Sequence, residues 1–308
     1  MDAKNVIAAI SLSAAVIILY GLFFAPEPSQ IDQQKIIEGE NKIVQTNDAP
    51  SIDQDPIVEK ISRDEAIKQS NRIEFENENM IGTISLSGGI IDDLIFKNYT
   101  KTLKGPDNII LLNPRNYQNG YFIETGWATN NENIDVPTSN TIWSIEGNKK
   151  LTPENSVKLV WKNNQGLIFE KQFSIDNNFL FKVQQKITNP TNKKYNFYPY
   201  GQIIRNIAPD VTNFYILHEG LIGVFDDQLV EKDYDDIEDK KYTKTASKGW
   251  TGITDKFWTT VMIPEENKEF RNVFEYKNKF KANFIETKST EVGSNEAKSN
   301  TIRIIVAA

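Results

Sequence analysis

The sequence predicts an all-β fold, a large β-sandwich that follows one N-terminal transmembrane helix and a flexible linker. From about residue 76 onwards, apolar and polar residues alternate with a period of two, which places successive side chains on opposite faces of a strand. The chain contains 17 Phe, 11 Tyr and 5 Trp but no Cys, so aromatic burial rather than disulfides must stabilise the core. A continuous apolar run over residues 6–25 predicts the transmembrane helix.

The apolar run is long enough to cross a bilayer as a helix. About 20 residues at roughly 1.5 Å of rise each cover about 30 Å, the thickness of the hydrocarbon layer. The alternative, a cleaved signal peptide, has a shorter apolar core and a small-residue cleavage site, whereas this run ends in Phe23, Phe24, Ala25 and Pro26. Lys4 precedes the run and several acids follow it, so we expect the N-terminus in the cytoplasm and the residues after about 26 in the periplasm.

The next segment, residues 26–75, is predicted to be a polar and largely disordered linker. It is rich in Gln, Asp, Asn, Glu, Ser and Pro and shows no sustained hydrophobic period, so it cannot bury enough apolar surface to offset its ordering entropy. Within it, Ser62 and Glu65 have the spacing of a capping box and predict a short helix that reaches about Ser70.

Residues 76–308 are predicted to form the β-sandwich domain. Residues 167–173 and 179–187 both alternate, and the Asp and Asn residues between them favour a turn, so this pair predicts a hairpin. Similar alternations occur at residues 83–87, 157–161 and 302–306. About 230 residues of closely spaced strands are compatible with one large sandwich.

The sequence offers little catalytic chemistry. His218 is the only histidine, which excludes sites built from two or more His. Its neighbour Glu219 would point to the opposite face of a strand, so we expect a structural role for His218. The same geometry predicts that the adjacent acids at 92–93 and 226–227 are solvated or turn-forming rather than paired carboxylates. No catalytic, cofactor-binding or metal-ligating residue is therefore predicted.

Other candidate sites are also weak. Residues 231–239 are acidic but lack the glycine and ligand spacing of a calcium loop, so they predict a hydrated charged loop. A formal net charge of −7 without a basic aromatic patch argues against nucleic acid as a partner. Tryptophans in a sandwich are usually core, although an exposed set would provide a sugar-stacking platform; the five are Trp127, Trp143, Trp161, Trp250 and Trp258.

One segment resembles a known family closely. Residues 82–99, GTISLSGGIIDDLIFKNY, are similar to the segment G-S-I-x-L-x-G-A-R-I-D-D-L-x-L-x-x-Y that opens the periplasmic domain of the YidC family of bacterial membrane protein insertases. The resemblance continues in order through residues 111–114, 126–127, 197–205, 215–223 and 249–258, and the opening MDAKN is also similar. Ile90 departs from the pattern, because the family usually has Arg there.

The resemblance implies a β-supersandwich of the galactose-mutarotase-like kind that acts as a noncatalytic interaction module. It also implies a bacterial inner-membrane location, with nascent inner-membrane proteins, the Sec translocon with its accessory proteins, and the lipid bilayer as partners. The family's insertase groove is built by five further transmembrane helices, which have no counterpart in residues 1–308, so no groove residue is carried over. Two alternatives remain open: a membrane-anchored carbohydrate-binding or aldose-epimerase-like module, and a truncated product that folds but does little.

Overall fold

A computed structural model describes residues 61–103, 105–209 and 218–307 and places them in two β-sheets. The strands of the larger sheet are β1 (Arg72–Glu76), β2 (Met80–Ser85), β3 (Ile90–Thr100), β4 (Asn108–Leu112), β5 (Tyr121–Ala128), β7 (Lys150–Leu151), β11 (Tyr195–Arg205), β14 (Tyr242–Ala246), β17 (Phe270–Tyr276), β18 (Phe280–Glu286) and β19 (Thr290–Val292). Their order across the sheet is β14-β17-β18-β11-β5-β3-β2-β1-β7, with β4 beside β3 and β19 beside β11.

The strands of the second sheet are β6 (Ser144–Glu146), β8 (Val157–Lys162), β9 (Ile168–Ile175), β10 (Leu180–Asn189), β12 (Gly220–Phe225), β13 (Gln228–Asp233), β15 (Gly249–Asp255), β16 (Trp258–Ile263) and β20 (Glu296–Ala307). Their order across the sheet is β13-β12-β15-β16-β20-β10-β9-β8-β6. The described part of the chain also contains two short helices, α1 (Arg63–Lys68) and α2 (Tyr234–Asp239). The predicted all-β class is confirmed.

One continuous hydrophobic core contains side chains from both sheets, as in a sandwich. The hairpin β9–β10 forms where the alternating pattern predicted it, and every second residue of β10 from Phe181 to Ile187 is buried. Phe181 is fully buried and meets Phe75 of the larger sheet edge to face, with 5.1 Å between the ring centroids. The period of two in the sequence therefore corresponds to the inner face of the second sheet.

The folded domain begins earlier than the sequence predicted. Residues 61–75, assigned to the linker, contain α1 and most of β1. The capping box is confirmed: Glu65 N donates to Ser62 Oγ, and Ser62 N donates to Glu65 Oε2. β1 pairs with both β2 and β7, and its Ile73 and Phe75 are fully buried, so the predicted start at 76 is too late. β1 has only two apolar residues among its five, and an alternation this short could not be distinguished from the polar sequence before it.

The acidic residues 231–239 do not form the predicted hydrated loop. They form the end of β13 and helix α2, whose Tyr234 and Ile237 are buried while the acids between them remain exposed. Tyr234 packs against Phe280 with 4.7 Å between ring centroids. A buried pair three residues apart on one helical face therefore fixes this segment to the core.

The predicted anchor, residues 6–25, and the predicted linker up to residue 60 lie outside the described residues. Among those that the structure does describe, no helix is both long and apolar enough to cross a membrane.

Candidate functional site

A β-bulge in the larger sheet brings two adjacent carboxylates together. Thr83 of β2 lies opposite Asp93 of β3, but the next residue, Ile84, lies opposite Ile91, so Asp92 is the extra residue. A bulge of this kind breaks the alternation of side chains along the strand. The expectation that residues 92 and 93 are solvated acids pointing to opposite faces is therefore wrong: both are buried and both belong to one polar network.

Two arginines neutralise this pair of acids. Arg72 of β1 forms an ion pair with Asp92, and Arg63 of α1 forms one with Asp93. Thr83 links the two ion pairs, because its Oγ1 accepts from Arg72 Nε at 2.6 Å and donates to Asp93 Oδ2 at 2.7 Å. We call Arg63, Arg72, Asp92 and Asp93 the acid–arginine cluster.

Within this cluster, burial has the largest effect on the pKa of Asp92. It raises the pKa of Asp92 from 3.8 to about 6, although the guanidinium of Arg72 opposes the change by favouring the charged carboxylate. Removing either partner of such a pair leaves an uncompensated buried charge. The cluster therefore suits a structural junction, since each carboxylate already has a cationic partner.

A polar cavity of about 150 Å³ lies beside the cluster. Its lining includes Ser70, Arg72, Ser85, Asp92, Arg115 and Asn116. The guanidinium of Arg115 donates to Ser87 Oγ at 3.0 Å and to the Ser139 carbonyl, and Ser70 Oγ lies 2.8 Å from Ser85 Oγ. Ligand pockets usually have volumes of about 300–1,000 Å³. The space fits ordered water or a very small polar molecule better than a sugar.

His218 and Glu219 do not converge on a shared site. His218 Nδ1 lies 3.1 Å from Asp233 Oδ1, and its Nε2 lies 3.3 Å from the Leu221 carbonyl. Glu219 instead accepts a hydrogen bond from the backbone N–H of Lys256 at 3.1 Å. The two side chains thus fix different neighbouring segments, an arrangement that suits packing rather than a general acid and base acting on one atom.

The other sequence candidates have structural environments. Asp226 and Asp227 form the turn between β12 and β13 with φ of 49° and 67°, and Asp226 accepts from the N–H groups of Ser247 and Lys248. The prediction of turn-forming acids is confirmed there. Within the three described ranges, no group of three or more His, Cys, Asp or Glu residues is placed to hold a metal ion.

Most of the tryptophans belong to the core. Trp127 and Trp143 are buried, and Trp127 meets Phe169 with 5.3 Å between ring centroids. Trp161 and Trp258 are partly buried and pack against the same core, whereas Trp250 is half-buried on β15. The core interpretation of the aromatic residues therefore holds for four of the five, and no shared sugar platform is formed by them.

The sequence did not predict a row of polar residues inside the sandwich. Lys171, Gln185 and Asn300 lie opposite one another on β9, β10 and β20, and all are buried. Lys171 Nζ donates to the carbonyls of Gly88 and Gly89 at 3.2 Å, and burial lowers the pKa of Lys171 to about 8. The alternating pattern places Lys171 and Gln185 on the apolar face of their strands, and this was the feature of the sequence from which their burial could have been predicted. Their partners lie 59 or more residues away and could not be read from a local pattern.

Comparison with known proteins identifies the family. The profile of the YidC periplasmic domain matches residues 72–308. The chain is 54% identical over 308 residues to the membrane protein insertase YidC of Pelagibacter ubique, covering all of this chain and 55% of that protein. It is 36% identical over 246 residues to the YidC of Dinoroseobacter shibae, covering 76% of this chain and 40% of that protein. The chain thus spans about half the length of the curated relatives it matches.

Solved structures support the fold. A galactose mutarotase-like protein from Lactobacillus casei matches 77% of this chain and all of its own, with a TM-score of 0.53 and 8% identity. A galactose mutarotase related enzyme from Lactobacillus acidophilus matches 77% of this chain and 98% of its own, with a TM-score of 0.51 and 10% identity. At this identity the likeness concerns architecture alone. The sequence matches, in contrast, cover most or all of the chain, and by them the chain belongs to the YidC family, with residues 72–308 as its YidC periplasmic domain.

Proposed function

We propose that this chain is the membrane-anchored, periplasmic part of an insertase that aids insertion, folding and assembly of inner-membrane proteins. The observation that carries the proposal is the 54% identity to a membrane protein insertase over all 308 residues. The activity of the whole insertase requires the portion of the relatives that this chain does not match. A polar path through the bilayer lowers the cost of moving hydrophilic segments across lipid, and such a path needs membrane-spanning elements.

Within that assembly the β-sandwich acts as a noncatalytic interaction module. Two features of the described residues support this role: His218 and Glu219 bind different segments, and both carboxylates of the acid–arginine cluster have arginine partners. The proposed partners are nascent inner-membrane proteins, the Sec translocon with its accessory proteins, and the lipid bilayer.

The proposed topology places the N-terminus in the cytoplasm and the sandwich in the periplasm of a bacterial inner membrane. Lys4 and the apolar run at residues 6–25 support this orientation. Protease added to spheroplasts should cleave the segment after residue 26 while the N-terminus stays protected. Protection of that segment with the membrane intact would reverse the topology.

The function is tested by a chimera in cells depleted of their own insertase. The 308 matched residues of the Pelagibacter ubique protein are replaced by this chain, so that the portion outside the match is kept. We expect the chimera to restore growth and the membrane insertion of a reporter protein. We expect this chain alone to restore neither.

The intact Pelagibacter ubique protein, expressed to the same level, is the positive control. Rescue by this chain alone would contradict the proposal that insertion requires the portion of the relatives that this chain does not match. A chimera that reaches the membrane in normal amounts and restores neither growth nor insertion, where the intact relative restores both, would contradict the assignment to an insertase.

A further inference from the structure

The hairpin between β15 and β16 exposes a large aromatic residue in a conformation that disfavours one. Phe257 has φ of 75°, in the left-handed region, and it is 64% exposed. Gly or Asn normally occupies such a turn position, because the β-carbon of other residues adds strain there. The backbone conformation of Phe257 therefore costs conformational free energy that burial of its ring does not offset. Strained and exposed residues of this kind are often functional.

Other apolar side chains lie at the same end of the sandwich. The neighbouring Trp258 is partly buried: it stacks on Phe96 at 4.9 Å and meets Tyr99 edge to face at 5.3 Å between ring centroids. These contacts place the β15–β16 hairpin beside the end of β3. Four residues beyond the exposed Tyr99, Leu103 is fully exposed in the loop between β3 and β4. We call Tyr99, Leu103, Phe257 and Trp258 the aromatic tip.

The charges around the aromatic tip are mixed, with lysines beside the apolar groups. Lys256 Nζ lies 5.5 Å above the ring of Phe257, and Lys101 is exposed at the start of the β3–β4 loop. Asp107 is exposed in the same loop. Lysine beside aromatic residues is the composition found where proteins meet the headgroup layer of a membrane, because the ammonium reaches the phosphates while the apolar part lies deeper.

The apolar side chains of the aromatic tip lie on separate elements of the fold. Phe257 lies in the β15–β16 turn and Leu103 in the β3–β4 loop, whereas Tyr99 and Trp258 lie at the adjoining ends of β3 and β16. Apolar side chains spread in this way suit a flat and deformable surface, because a rigid protein would need a matching pocket for each.

We propose that the aromatic tip inserts into the interfacial layer of the lipid bilayer and holds the sandwich against the membrane. The proposal rests on the function proposed above, which places the domain beside an inner membrane. Phe257 and Leu103 enter the headgroup and acyl boundary, Tyr99 and Trp258 remain at headgroup level, and Lys101 and Lys256 contact lipid phosphates. The attraction is mainly apolar, since Asp107 offsets part of the positive charge.

The absence of native cysteine makes a direct test simple, because one introduced thiol can carry an environment-sensitive fluorophore. The full chain is reconstituted in vesicles of phosphatidylethanolamine and phosphatidylglycerol, with the label on Phe257→Cys or Leu103→Cys. Leu229→Cys is the matched control. Leu229 is 58% exposed and lies beside the β12–β13 turn, at the opposite end of β15 from the aromatic tip. Doxyl-labelled lipids quench only probes in contact with the bilayer.

We expect lipid quenching at positions 257 and 103 and none above background at 229. Equal quenching at all three positions would overturn the proposal. A blue shift at 257 without lipid quenching would also overturn it, because that result indicates contact with protein. The outcome is independent of insertase activity, so a failure here is distinct from a failure of the chimera to rescue growth.

A second variant separates membrane contact from folding. Phe257→Asn keeps a side chain that tolerates the left-handed conformation, so we expect the variant to be at least as resistant to urea as the unchanged chain. With the label at Leu103→Cys, we expect Phe257→Asn to reduce partitioning of the aromatic tip into lipid by about tenfold, as expected for one buried aromatic side chain. If Phe257→Asn leaves the quenching at position 103 unchanged, Phe257 does not contribute to membrane binding and the proposed insertion of its ring is wrong.

Discussion

At the scale of single residues, Asp92 and Asp93 show how a local irregularity changes what a sequence can reveal. Strict alternation predicts that two adjacent acids face opposite ways, but the bulge opposite Thr83 and Ile84 places both in one buried network. The strand β3 was predictable from its apolar residues. The bulge was not, because it depends on the register with β2 and on Arg63 and Arg72, which lie 30 and 20 residues away.

The raised pKa of Asp92 predicts a pH dependence of stability that Asp92→Asn removes. In the folded state this carboxyl has a pKa of about 6, against 3.8 ordinarily, so between these values the folded protein binds the proton more strongly than the unfolded chain does. Its contribution to stability is therefore present at low pH and is lost as pH rises through this window. The loss amounts to about 3 kcal/mol for a shift of about two units.

The measurement is urea unfolding of the original protein and of Asp92→Asn from pH 4 to 7.5. The free energy of unfolding of the variant, relative to the original, should increase by about 2 kcal/mol between pH 4 and 6 and level off above about pH 7. Parallel curves for the two proteins would mean that burial of Asp92 does not control its protonation.

At the scale of secondary structure elements, the hairpin β9–β10 was the most predictable part of the chain. Its alternation is long, and the turn residues lie between the two strands. Helix α1 was predictable from its capping box, but its attachment was not. Arg63 reaches Asp93 and Asn113, and Ala66 is the buried residue of the helix. A six-residue helix is not stable alone, so these long-range contacts decide whether it forms.

Phe181→Asp should unfold the domain, whereas Lys182→Asp on the same strand should not. Phe181 is fully buried against Phe75, so an aspartate there would be an unpaired charge in the core. We expect a loss of more than about 4 kcal/mol for Phe181→Asp and less than about 0.5 kcal/mol for the exposed Lys182→Asp. Thermal unfolding followed by circular dichroism checks both; similar melting temperatures for the two variants would contradict the assigned face of β10.

Arg63→Ala should loosen α1 from the larger sheet. The change removes the cationic partner of the buried Asp93 and a 3.0 Å hydrogen bond to Asn113. We expect a loss of about 2 kcal/mol and faster amide hydrogen exchange in residues 63–76. Lys68→Ala, at an exposed position of the same helix, is the control and should change neither. Equal exchange in the two variants would show that Arg63 does not hold the helix.

At the scale of the whole molecule, the fold is that of galactose mutarotase-like proteins while the sequence belongs to the YidC family. The aromatic content and the period of two predicted the architecture because both reflect burial. The start of the domain was harder to predict, because β1 is stabilised by β2 and β7 and lies next to a polar segment. Membership of the family was predictable from ordered blocks of sequence and not from the alternating pattern that specifies strands.

Residues 61–308 should fold independently, whereas residues 77–308 should not. The shorter fragment lacks β1 and therefore the two fully buried side chains of Ile73 and Phe75, a loss of about 5 kcal/mol or more. It also leaves β2 with one exposed edge. Gel filtration and near-ultraviolet circular dichroism of both fragments check this expectation. A monomeric, cooperatively folding 77–308 fragment would contradict the assigned role of β1.

The central claim, that this mutarotase-like sandwich is a noncatalytic module, is tested most directly by polarimetry. Freshly dissolved α-glucose and α-galactose are followed with folded residues 61–308, with an aldose 1-epimerase as the positive control. Since His218 contacts Asp233 while Glu219 contacts Lys256, we expect mutarotation at the buffer rate, both for this protein and for His218→Ala. A rate above that of buffer, abolished in a folded His218→Ala variant, would contradict the claim and favour a sugar-epimerising enzyme.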